Sequence, residues 1–183
     1  VGRAFVAVRP PDAVLEAVEE TLGPARKAMV GPRWAGRDQW HVTLQFLGPV
    51  ATLAPVVHSL GLAVAGVDPF RFGLGGSGAF PNPRRARVVW LGAQEGAGPM
   101  ASLATAVTDA LAPFGYEAEA RPFRSHLTVA RLRDPGDVTP ALAALREGPV
   151  GDAWTVEEIV LYQSRLLPSG SQYSVLARLP LGI

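Results

Sequence analysis

The sequence predicts an α+β protein built from two similar lobes, and three observations lead there. Short runs rich in β-branched and aromatic residues alternate with helical patterns, but hairpins interleave them, which points to split βαβ units and not a parallel sheet. The tetrapeptide pattern His-apolar-Thr-apolar occurs twice, as His41-Val42-Thr43-Leu44 and as His126-Leu127-Thr128-Val129, in separate halves of the chain. The chain has 183 residues, 48% of them hydrophobic and 18% charged, enough for a real core and not the composition of a disordered segment.

Each element has its own signal. Arg3–Val8 alternates as a strand and meets Pro10-Pro11. Pro11-Asp12 opens a helix with Val14, Leu15, Val18 and Leu22 on one face, running to about Met29. After Gly31-Pro32, residues Gln39–Leu47 form the first motif strand, closed by Gly48-Pro49. Leu53, Val56, Val57, Leu60 and Val64 mark a second helix. Phe70–Leu74 and Arg87–Leu91 read as strands, and Met100–Phe114 as a helix stopped by Gly115. Phe123–Leu132 is the second motif strand, and Pro140–Arg146 a short helix. Trp154–Leu166 and Gln172–Leu179 are the last strands, joined through the turn Pro168-Ser169-Gly170.

Composition excludes several functions. There is no cysteine, hence no disulfide, thiolate metal site or thiol nucleophile. No apolar run reaches transmembrane length, so a cytoplasmic protein without membrane contact is expected. The net charge is only +1, but 16 of the 17 basic residues are arginines, clustered at 84, 85 and 87 and at 121, 124, 131 and 133. Guanidinium forks match phosphate geometry, although a general Ala/Gly/Pro/Arg bias would also produce such clusters. Gly73, Gly75 and Gly78 fit G-x-G-x-x-G, but Pro81 and Pro83 follow and no helix opens there, so a dinucleotide fold is rejected in favour of a hairpin or bulge.

The doubled motif carries the chemistry. On a strand, residues i and i+2 share a face, so each histidine stands beside its threonine with apolar residues behind. Two histidines across a cleft can divide acid and base work, and the hydroxyls can donate to phosphate oxygens. Such a site suits a strained cyclic phosphodiester. The competing readings are buried structural histidines or a metal site. No third ligand is evident for a metal, and a serine triad lacks its G-x-S-x-G elbow. His58, alone on the second helix, reads as an exposed or boundary residue.

With these motifs in order, the chain resembles the two-histidine phosphoesterase superfamily, and within it the RNA 2′,3′-cyclic phosphodiesterase (2′-5′ RNA ligase) family. The likeness runs through Arg3–Val8, His41–Gly48, Gly78–Pro83, Arg87–Gly92, Arg121–Arg131, Leu161–Leu167 and Tyr173. It implies one bilobal domain over residues 1–183, with two pseudo-symmetric antiparallel sheets, helices outside and a central cleft. It further implies hydrolysis of RNA or nucleotide 2′,3′-cyclic phosphate ends to 2′-phosphates, with no cofactor or metal, and with 2′-5′ ligation as the reverse direction. In this resemblance His41 is the proton donor, His126 the proton acceptor, and Thr43, Thr128 and Arg131 bind substrate. The two motifs are too alike for sequence to assign acid and base unaided. On a regular strand Arg131 would point away from His126, so a bulge, a strand end or its long side chain must bring it round. A monomer is expected, and the rival reading is a non-catalytic nucleotide- or RNA-binding module using the same cleft.

Overall fold

The computed structural model describes residues 2–183. In chain order the elements are β1 (Arg3–Val8), α1 (Asp12–Ala28), β2 (Arg33–Trp34), β3 (Val42–Pro49), α2 (Leu53–Ala65), β4 (Phe70–Phe80) and β5 (Ala86–Glu95). Then come α3 (Ala97–Leu111), β6 (Leu127–Gly136), α4 (Thr139–Ala144), β7 (Pro149–Val156), β8 (Glu158–Leu167) and β9 (Gly170–Pro180). The architecture is α+β, as expected.

The strands pair in the order β7-β4-β5-β6-β3-β1-β8-β9, with β2 added beside β6, and every pairing is antiparallel. Four strands, β7-β4-β5-β6, carry the second motif, and four, β9-β8-β1-β3, carry the first. The two expected sheets are therefore joined as one, and the join is narrow: β3 and β6 share a single registered pair, Val42↔Leu127. Behind the sheet one apolar core runs across both halves, from Val6, Leu15, Trp40 and Leu60 through Phe72, Leu91, Leu127 and Ile159. Helix α1 shows how the halves interlock, because it packs against α4 and β7 of the other half. Its face is the one the spacing gives, Val14, Leu15, Val18 and Leu22, all buried.

Three expectations change. Trp154–Leu166 is not one strand: β7 ends at Val156, and β8 begins at Glu158 in the other half of the sheet. No glycine or proline marks that crossing; only Glu157-Glu158 stands there, between two strand-like runs. The motif strands begin later than expected, at Val42 and Leu127, which leaves each histidine one residue before its strand. The two-residue β2 has no periodicity to read. The glycine-rich run lies inside β4, where its register shifts, and no helix opens there.

Candidate active site

The pair Val42↔Leu127 sets the geometry. Both side chains are fully buried on the core face. Continuing the antiparallel register one residue each way puts His41 opposite Thr128, and Thr43 opposite His126. Directly opposed residues stand about 5 Å apart at Cβ. The two His–Thr pairs thus form the corners of one small patch on the face away from the core, and all four side chains are half-buried. They line a single cavity of about 600 Å³.

Arg131 reaches the same cavity through a bulge. Along β5 and β6, Val89 pairs with Ala130 but Trp90 pairs with Thr128, leaving Val129 as an extra residue. Val129 and Ala130 both turn into the core, and Arg131 returns to the cleft. The first motif repeats the device. Val6 pairs with Gln45 and Ala7 with Thr43, so Leu44 is the extra residue, and Phe46 returns to the cleft. Each bulge falls three residues after its histidine. The residue five after the histidine is a guanidinium in one half and an aromatic ring, 56% exposed, in the other. Comparing His41–Phe46 with His126–Arg131 shows this position in sequence, but nothing there reveals the bulge that turns it inward.

The imidazoles are held alike. His126 Nδ1–H donates to the Arg124 carbonyl at 2.8 Å, and the Gln39 backbone, likewise two residues back, hydrogen-bonds the His41 ring. A carbonyl only accepts, so His126 Nδ1 carries the hydrogen, leaving its Nε2 as the other ring nitrogen. Each ring has an aromatic wall. His41 stacks on Phe5 with centroids 4.7 Å apart and meets the edge of Tyr173 at 5.3 Å. His126 meets Phe80 edge-on at 5.1 Å, with Trp90 beyond at 6.3 Å. Trp90 fits only because Gly78 faces it: a Cβ at position 78 would overlap the indole.

These walls bury much of each ring, and burial is the largest cause pushing His41 down to about 4; the Arg131 charge adds to it and the Gln39 carbonyl opposes it. His126 is lowered as well, by burial first and by Arg131, against the Arg124 carbonyl and Glu119. Both rings are therefore neutral near pH 7.

The remaining wall comes from the irregular chain after Gly115. Buried Gln45 donates from Nε2 to the Glu117 carbonyl at 3.2 Å, tying that segment to β3. The segment brings Glu119, Arg121, Phe123 and Arg124 to the cavity, with Arg124 4.7 Å above the Trp90 ring. With Arg33 and Arg131, the lining holds four guanidiniums and one carboxylate. Among the described residues no three His, Cys, Asp or Glu side chains converge, so the usual zinc donor set is not assembled. Among the described residues no helix is long and apolar enough to cross a membrane.

All five candidate residues, His41, Thr43, His126, Thr128 and Arg131, come together, while His58 lies exposed on α2. Sequence reasoning missed Arg33, Phe46 and Phe80, and gave Tyr173 no role.

A single antiparallel sheet presenting two opposed His–Thr pairs in one arginine-lined cleft defines a class, the proteins with a doubled His-x-Thr site. Residues 6–166 match the 2′-5′ RNA ligase superfamily, and the chain belongs to that family. An RNA 2′,3′-cyclic phosphodiesterase of Geobacillus stearothermophilus is 30% identical over 180 residues; the match covers 97% of this chain, which spans 56% of that relative's length. An RNA 2′,3′-cyclic phosphodiesterase of Archaeoglobus fulgidus is 31% identical over 171 residues, covering 93% of this chain and 96% of the relative. The crystal structure of E. coli LigT complexed with 3′-AMP superposes with a TM-score of 0.75 at 27% identity, covering 98% of each chain.

Proposed function

We propose that this chain hydrolyses RNA or nucleotide 2′,3′-cyclic phosphate ends to 2′-phosphates, without a metal, using His41 and His126 as acid and base. The observation that carries the reading is the Val42↔Leu127 register, which opposes the two His–Thr pairs in one cavity. The names of the relatives support the substrate class. Residues 1–183 then act as one phosphodiesterase domain, supported by the core shared between its halves.

In this reading the cyclic phosphate sits between the imidazoles. Thr43 and Thr128 donate to its non-bridging oxygens, and Arg131 offsets its charge. His126 Nε2 takes a proton from water as the water oxygen bonds to phosphorus. The P–O3′ bond breaks in line, and His41 Nε2–H protonates the departing oxygen. The products are a 2′-phosphomonoester and a 3′-hydroxyl. Replacing water by an RNA 5′-hydroxyl gives a 2′-5′ linkage in the reverse direction.

The donor role of His41 follows the family resemblance, whereas burial and the Arg131 charge make this ring hard to protonate. The substrate anion resolves this. It cancels the Arg131 charge that opposes protonation and favours an imidazolium beside it, so a proton enters with the substrate. The non-symmetric pair Arg131 and Phe46 then fixes orientation, phosphate toward the guanidinium and base toward the ring.

The test is incubation with 2′,3′-cyclic AMP and with a cyclic-phosphate-ended oligonucleotide, identifying the product by phosphorus NMR. The proposal expects 2′-phosphate from both. Tight binding of nucleoside monophosphates with no turnover would favour a binding module instead.

A further inference from the structure

The shortest strand brings a second guanidinium to the cleft. Strand β2 pairs with β6 so that Arg33 lies directly opposite Arg131, and both side chains line the cavity. Opposed residues on an antiparallel pair project from the same face, and like charges so placed repel. The chain has 16 acidic residues, yet among the described residues neither arginine forms an ion pair. Arg131 has no hydrogen-bond acceptor there. Arg33 donates one Nη2–H to the Ser169 carbonyl at 2.9 Å, in the turn between β8 and β9. That turn lies close to the guanidinium: Gly170 has φ +125°, and a Cβ on it would meet Arg33 Nη2. Two like charges thus share one face of the cleft with donors to spare, and an anion between them would offset both.

We propose that Arg33 is a second anion-binding residue of the cleft, selective for a doubly charged phosphate. The inference rests on the hydrolytic reading for its place in the reaction. A cyclic diester carries one negative charge. When water adds and loses its proton to His126, the phosphorane carries two, and the 2′-monoester keeps two above its second pKa of about 6. Arg131 matches the first charge and Arg33 the second.

Arg33→Gln and Arg33→Lys, compared with wild type by calorimetry and kinetics, test it. Arg33→Gln is expected to weaken inorganic phosphate and 2′-AMP by about 10-fold or more, the worth of a charge-assisted hydrogen bond. KM for 2′,3′-cyclic AMP should rise several-fold less than that, kcat should fall, and Arg33→Lys should recover part of each loss. Equal weakening of monoanion and dianion with no recovery by Lys would mean that Arg33 only braces the turn, and would overturn the proposal. If the Gln variant does not fold, wild type alone decides. It should bind inorganic phosphate at pH 8 at least about 10-fold more tightly than dimethyl phosphate, and equal affinities would overturn the inference. If wild type turns over no cyclic phosphate, the hydrolytic reading fails, while the phosphate comparison still reports on Arg33.

Discussion

Replacing His41 by Asn should make the protein more resistant to acid. Asn keeps an N–H for the Gln39 carbonyl but cannot take up a proton. In the folded chain His41 titrates at about 4, against 6.5 for the unfolded residue. A folded value below the unfolded one means the native state favours the neutral ring. Its contribution is full above pH 6.5 and is lost as pH falls toward 4. At about 1.4 kcal/mol per pH unit the gap is worth about 3 kcal/mol at most, and water in the open cleft reduces it to about 1–2 kcal/mol. Urea unfolding of both proteins from pH 8 to pH 4 isolates the effect, because the carboxylates common to both cancel in the difference. The Asn variant loses the stacking on Phe5, so it should be the less stable at pH 8. The difference should shrink by about 1–2 kcal/mol on going to pH 4. A constant difference across the range would mean that His41 is not desolvated, and the description of its wall would fail.

Thr43→Val and Thr128→Val should each lower kcat/KM on 2′,3′-cyclic AMP by about 10- to 100-fold, since in the proposed reading each removes one hydrogen bond to a charged phosphate; steady-state kinetics with melting curves as a fold control check this. Gly78→Ala should destabilise by about 1–3 kcal/mol through overpacking against Trp90, and should impair turnover by displacing the wall behind His126; calorimetry and kinetics on the same sample test both. Activity should survive excess EDTA, and loss restored by zinc would favour a metal mechanism. Adding phosphate should move the NMR titrations of His41 and His126 to higher pH; no movement would place the anion elsewhere.

Much of this was legible in the sequence because it is local. The faces of α1 and α2 follow helical spacing, and His41 with Thr43, or His126 with Thr128, follows strand alternation. What sequence did not carry is non-local. The bulges at Leu44 and Val129 exist only relative to the partner strands β1 and β5, so the inward turn of Arg131 could be required but not located. Phe5, Phe80 and Tyr173 reach the histidines from separate strands. The switch between β7 and β8 falls at Glu157, with no glycine or proline to mark it. The burial that lowers His41 is a property of those assembled walls, and no reading of His-x-Thr-x contains it.

The account depends on both histidines serving one phosphorus centre. A crystal structure with inorganic phosphate or 2′-AMP bound tests this most directly. One phosphate should sit with oxygens about 2.7–3.2 Å from both His41 Nε2 and His126 Nε2, and from the Thr43 and Thr128 hydroxyls. A phosphate that engages only one histidine, or that binds outside the cleft, would contradict it.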